Sequence, residues 1–109
     1  MTWAVDASGN QTATIGTDHV LRTTAATPNA TFILAVDTTN LANGDLLELR
    51  VYDRIDGTNL RQCWKGTYQH AQINNGKESP PVAITSQAEF HLKQVAGTGR
   101  TYQWVVRSQ

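Results

Sequence analysis

The chain has a single cysteine, three prolines, few charges and no net charge, and each scarcity excludes a class of protein. Cys63 has no partner for an internal disulfide, so the fold must depend on a packed core or on neighbours, and synthesis in a reducing cytoplasm suits it. Nine Lys and Arg balance nine Asp and Glu, which leaves neither the broad positive field that gathers nucleic acid nor an acidic tail. The longest apolar runs, such as 32–36, fall far short of the ~20 residues of a helical membrane span. Residues 1–16 have neither the basic start nor the continuous apolar stretch of an export signal. The expected partners therefore include neither nucleic acid nor membrane, and 109 residues allow one domain with one two-layer core.

What is present is a strand vocabulary: abundant Thr, with Val, Ile, Tyr, Phe and Trp in short bursts, side chains that fit a pleated, half-buried surface. Residues 1–10 read as either a loose, extended N-terminal arm or a first edge strand. Short strands are expected at 11–15 and 19–25, parted by turn chemistry at Gly16 to Asp18, with a break at 26–29 around Pro28. Phe32, Leu34 and Val36 then alternate on one face, as do Leu47, Leu49 and Val51 in the strand after the Asn43-Gly44 turn. Asp56-Gly57 signals a hairpin into 59–71, where Gly66 reads as a bulge or bend. Segment 74–81, ending in Pro80-Pro81, reads as an exposed loop. Two closing strands, 87–95 and 101–107, place Ala88, Phe90 and Leu92, then Tyr102, Trp104 and Val106, on one face each, with Gly97-Thr98-Gly99 read as the hairpin between them. About eight short strands and no helix predict an all-β fold, a single antiparallel β-sandwich spanning 1–109, immunoglobulin-like or jelly-roll-like.

No pattern proposes chemistry. His19, His70 and His91 lie tens of residues apart without a second ligand nearby, so no metal site is expected. Cys63 with the distant His70 lacks an activating motif, and the carboxylates are scattered singly. Gly97-Thr98-Gly99-Arg100 lacks the Gly-Lys-Ser/Thr of a phosphate loop, with Tyr102 where a dinucleotide fingerprint needs glycine. Asp53 to Asp56-Gly57 misses the calcium-loop spacing, and the sequons at Asn10 and Asn29 fall in a Thr-rich chain without an export signal. No catalytic residue and no cofactor is assigned. Of the three tryptophans, Trp104 is expected in the core by its alternation with Tyr102 and Val106, whereas Trp3 is free to anchor the arm on a neighbour.

Three stretches carry a resemblance: Asp37 to Val51 (DTTNLANGDLLELRV), Ser79-Pro80-Pro81, and Glu89 to Trp104 (EFHLKQVAGTGRTYQW). Together they resemble a family of small proteins encoded among the head and tail morphogenesis genes of tailed bacteriophages. The likeness spans roughly residues 30–107, and its most specific part is the run Leu-Lys-Gln-x-Ala-Gly-Thr-Gly-Arg-x-aromatic-x-Trp. The resemblance implies a virion structural role without catalytic residues, with capsid decoration (cement) preferred: a protein made in the host cytoplasm and bound to the capsid surface. Its implied partners are the major capsid protein and neighbouring copies of itself, as in a trimer. Candidate contacts are Trp3, Val5, Pro80, Pro81, Gly97, Thr98 and Arg100. A neck, tail or baseplate adaptor is the competing structural reading. A carbohydrate-binding adhesion module is the reading from another class, favoured by exposed coplanar aromatics and weakened by burial of Trp64 and Trp104.

Overall fold

A computed structural model describes residues 3–26 and 30–109. The expected break at 26–29 falls largely outside the described residues. Among the described residues there are nine strands: β1 (Ala4–Thr12), β2 (Asp18–Thr23), β3 (Thr31–Asp37), β4 (Leu46–Asp53), β5 (Arg61–Gln69), β6 (Gly76–Glu78), β7 (Val82–Ala83), β8 (Ala88–Ala96) and β9 (Thr101–Ser108). They form two antiparallel sheets packed face to face, a β-sandwich, with no helix among the described residues. One sheet has the order β1-β9-β3-β6, with β7 also paired to β3; the other has the order β2-β8-β4-β5.

Alternation decides which face is buried. Phe32, Leu34 and Val36 of β3 and Tyr102, Trp104 and Val106 of β9 point inward from one sheet. Leu47, Leu49 and Val51 of β4 and Ala88, Phe90 and Leu92 of β8 meet them from the other. Phe32 and Phe90 touch across the layers with ring centroids 5.8 Å apart. Each large apolar side chain sealed here contributes about 1.5–3 kcal/mol, the dominant favourable term for a chain without cross-links.

Side chains bridge the two sheets at the open sides of the sandwich, among them Gln11 of β1 and His19 of β2, whose Nε2 and Nδ1 lie 3.2 Å apart. On one side a bulge at Asp6 in β1 and another at Leu21 in β2 accompany an ion pair, Asp6 Oδ2 to Arg22 Nε at 2.9 Å. On the other, the Lys77 ammonium of β6 lies 5.3 Å from the Tyr68 ring centroid of β5.

Several expectations change. Residues 4–10 are not an extended arm: they pair with β9 from Ala4↔Ser108 onward as the edge strand of the first sheet. Segment 74–81 is not simply exposed loop. It contains β6, and Ser79 is buried because its hydroxyl oxygen accepts the Leu34 N–H at 2.9 Å, satisfying a β3 donor where the edge pairing lapses. The β5 bulge is at Cys63, between the Val51↔Trp64 and Tyr52↔Gln62 pairs, not at Gly66. Gly66 has another reason: a Cβ there would lie 2.6 Å from the Trp64 ring and 2.8 Å from the Tyr68 hydroxyl.

The most consequential correction concerns Gly97-Thr98-Gly99. This turn is not a hairpin, because β8 and β9 belong to different sheets. It is a corner that carries the chain from one layer to the other, as the Asn43-Gly44 turn does between β3 and β4.

Candidate protein contact surface

Two corners need a reason to turn, and buried polar side chains supply it. Asp45 is 1% exposed, directly before β4. Its carboxylate accepts the Ala42 N–H at 2.9 Å within its own corner and the Thr98 N–H at 3.1 Å in the other. It also pairs with Arg100 Nε at 3.0 Å. Gln94 is wholly buried at the end of β8: its carbonyl accepts from Arg100 N at 3.2 Å and Tyr102 Oη at 2.9 Å. Its amide donates to the carbonyls of Ala96 at 3.1 Å and Thr98 at 2.7 Å. Every polar atom of these side chains is thus engaged with backbone or with a partner that is itself held.

Burial resists ionisation of Asp45, but the hydrogen bonds from Ala42 and Thr98 together with Arg100 outweigh it and hold the carboxyl below its ordinary value. For Tyr102 the balance goes the other way. Burial and the Asp45 carboxylate push its phenol up to about 12, opposed by Arg100. A raised acid pKa means that folding favours the neutral phenol. That stability is complete below the unfolded value of roughly 10 and is lost as pH rises from there towards the folded value. Alkaline difference spectroscopy is therefore expected to show a tyrosine ionisation that coincides with unfolding; a Tyr102→Phe variant should remove that step.

Further links converge at the same end of the sandwich. Residues 13–17, between β1 and β2, are tied by Ala13 N to Arg100 O at 2.8 Å and by Gly16 N to Gln94 O at 2.9 Å. His19 Nε2 accepts the Thr14 N–H. Residues 70–75, between β5 and β6, are tied by His70 N to Asp45 O at 2.9 Å. They are also tied by Gly44 N to His70 Nδ1 at 2.9 Å, which accompanies a left-handed φ of 64° at His70. The four loops at this end are therefore held by side chains bonded to backbone.

On this rigid end the structure exposes apolar side chains: Ile73 at 99%, Ile15 at 41% and Val95 at 37%. Ile15 and Val95 are neighbours through the Gly16–Gln94 hydrogen bond, and Ile73 crowns the 70–75 loop. Val95 is on the outer face of β8 beside the 13–17 loop, whereas the 70–75 loop joins the far edges of the two sheets, so Ile15 with Val95 and Ile73 stand at opposite sides of this end.

The sequence candidates do not share one patch. Gly97 and Thr98 are exposed at the loop end, while Arg100 is only half-exposed and occupied by Asp45. Trp3 and Val5 lie at the opposite end, beside the last residues of β9. Pro80 and Pro81 are exposed along the β3 edge, between β6 and β7. Trp104 is in the core as expected, and Trp64 is half-buried over Gly66.

Other clusters are structural. On the outer face of the second sheet, His91 is 7% exposed between Asp18 and Glu89, each 2.9 Å from a ring nitrogen, with the Tyr52 ring 4.5 Å away. Glu89 also meets Arg54, and Glu48 meets Lys65. Cys63 and His70 are seven residues apart along an extended strand, roughly 20 Å, so they do not form a nucleophile and base. Burial and the Asp53 charge push the Cys63 thiol up, despite a hydrogen bond with the Asp53 backbone, away from the reactive thiolate. Among the described residues no cluster of His, Cys, Asp and Glu could hold a metal ion. A shallow cleft of about 350 Å³ on the outer face of the first sheet is lined by residues including Ala35, Asp37, Gln103, Val105 and Arg107, none of them aromatic. No protein-family model, no curated protein and no solved structure matches the chain.

Proposed function

We propose that this chain is a capsid decoration (cement) protein of a tailed bacteriophage, which binds the outer capsid surface and ties major capsid subunits together. The phage context comes from the resemblance carried by residues 37–51, 79–81 and 89–104. The observation that supports a contact role is the loop end: exposed apolar Ile15 and Ile73, one at each edge, are presented on loops whose end of the sandwich is held by backbone bonds to Asp45, Gln94, His19 and His70, with Val95 of β8 beside Ile15. Loops fixed before binding lose little further conformational freedom on docking, so a modest apolar surface yields useful affinity. Many copies on one particle multiply that gain. In this reading the protein contributes surface area rather than chemistry.

The test is twofold. Quantitative mass spectrometry of purified virions is expected to find this chain in a simple ratio to the major capsid protein. A count near a dozen would instead place it in the neck or tail, and absence from the particle would overturn the virion reading. Co-sedimentation with capsids is expected to weaken at least about tenfold for Ile73→Asp combined with Ile15→Asp. The melting temperature should hardly move, because neither side chain is in the core and exposed substitutions stay within about 0.5 kcal/mol.

A further inference from the structure

We propose that the Asn43-Gly44 corner is a self-modification site, where His70 acts as the base that drives loss of ammonia from the Asn43 side chain. The inference does not depend on the phage reading.

In an Asn-Gly dipeptide the backbone nitrogen that follows the asparagine can attack the side-chain amide carbon, and glycine, without a Cβ, hinders that attack least. Two obstacles keep the reaction slow. An amide nitrogen is a poor nucleophile until a base takes its proton, and negative charge builds on the side-chain oxygen. The neighbouring loop meets both. The Gly44 N–H donates to His70 Nδ1 at 2.9 Å, so an unprotonated imidazole nitrogen stands where a base must stand. The Ala71 N–H donates to Asn43 Oδ1 at 3.3 Å, the oxygen that becomes negative.

Base and donor are consecutive residues, and their placement is enforced. His70 has a left-handed φ of 64°, the only non-glycine residue to do so among the described residues. Such backbone persists where its surroundings over-determine it, and it clusters at functional sites. Here the His70 N–H is fixed on the Asp45 carbonyl at 2.9 Å. Gln72 Nε2 donates to the carbonyls of Gln69 at 2.8 Å and His70 at 3.1 Å. The attacked corner is closed in turn by Asp45 N to Ala42 O at 3.0 Å. Asn43 and Gly44 are exposed, so water reaches the site and ammonia can leave it.

In the first step the Gly44 nitrogen gives its proton to His70 Nδ1 and bonds to Asn43 Cγ. The Cγ–Nδ2 bond then breaks, and Nδ2 leaves as ammonia with the proton that His70 returns. A five-membered cyclic imide remains. Water opens it at Cγ to give aspartate, or at the backbone carbonyl to give isoaspartate. One water is consumed, one ammonia is released and nothing is oxidised. The product adds a negative charge to a chain of zero net charge, close to the buried Asp45 carboxylate. The isoaspartyl form also lengthens the backbone of the corner by one methylene, so the clasp between the two chain crossings loosens as the protein ages.

The chain contains its own control. Asn75-Gly76 is the same dipeptide and is also exposed, but among the described residues no histidine is bonded to Gly76. Peptide mapping by mass spectrometry, with fragmentation that separates aspartate from isoaspartate, follows both sites during incubation of the folded chain at neutral pH. Asn43 is expected to convert at least about tenfold faster than Asn75, with isoaspartate among its products. In denaturing urea, where His70 is no longer held against Gly44, the two rates should converge. His70→Asn should slow Asn43 at least about tenfold and leave Asn75 unchanged, because asparagine tolerates the left-handed φ and offers an acceptor oxygen but takes up no proton. Conversion of Asn43 no faster than Asn75 in the folded chain would overturn the proposal. So would an Asn43 rate indifferent to His70→Asn, or a product that is aspartate alone. Virion copy number decides the decoration reading separately, so the two can fail independently.

Discussion

Asp45→Ala is expected to cost about 3–5 kcal/mol of stability, a large part of the total for a domain of this size. The substitution removes one member of a largely buried ion pair and leaves the Arg100 guanidinium without its carboxylate. It also strips the acceptor from the N–H groups of Ala42 and Thr98, one in each chain crossing. Thermal unfolding should show a loss of about 4–8 °C for each kcal/mol. A loss under about 1 kcal/mol would mean that water replaces the carboxylate and that the corners do not depend on it. Asp45→Asn keeps the shape and one acceptor oxygen, so its cost should be smaller while the charge on Arg100 remains unanswered.

The same residue contributes to the acid side of the stability curve. Its carboxyl is held below the ordinary value in the folded chain, so the native state binds the proton less readily than the unfolded state. The stability this supplies is complete above the unfolded value, roughly pH 4, and is lost as pH falls through the lower folded value. Asp45→Asn should flatten that part of the curve without abolishing it. Asp37 is also lowered, by the Thr39 hydroxyl and then the Thr39 N–H, and Asp56 is lowered to about 2, chiefly by the N–H groups of Asn59 and Thr58.

The sandwich was legible because its core rows obey a period of two: Phe32-Leu34-Val36, Leu47-Leu49-Val51, Ala88-Phe90-Leu92 and Tyr102-Trp104-Val106 are all buried. The corners were not, because the same rows run on into polar residues. Asp45 and Asp53 bracket the inward row of β4, and Gln94 extends that of β8, all three at 2% exposure or less. Asp53 does at the β7–β8 link what Asp45 does at its own, accepting the N–H groups of Thr85 at 2.9 Å and Ser86 at 3.2 Å. A carboxylate or amide in register with a buried apolar row is a sequence signal for a backbone clasp, and reading alternation through apolar residues alone discards it. Glycine-rich chemistry between two strands suggests a hairpin. Only the buried acceptors distinguish a corner from one, and the acceptor of the Thr98 N–H, Asp45, lies 53 residues away in sequence. The run Gln94 to Trp104, the most specific part of the resemblance, thus encodes the corner itself, with Gln94, Arg100 and Tyr102 as its interior.

Gly97→Ala tests the corner from the other side and is expected to cost about 3 kcal/mol or more. Two effects combine. Gly97 has a φ of 93°, where an L side chain is strained by about 1–2 kcal/mol. A Cβ there would also lie 2.0 Å from Asp45 Oδ1 and 2.7 Å from Asp45 Cα, and the second contact is with backbone that enters β4. Gly44 isolates the first effect, since its φ is 92° and a Cβ would meet nothing within 4 Å. Gly44→Ala should therefore cost only the conformational strain, and the difference between the two variants measures how closely the corners are pressed together. Equal costs would show that the close approach carries no energy. In an Asp45→Ala background the contact with Oδ1 disappears while that with Cα remains, so Gly97→Ala should cost less than in the parent chain but still more than Gly44→Ala. That non-additivity is the expected signature of two chain crossings that act as one unit.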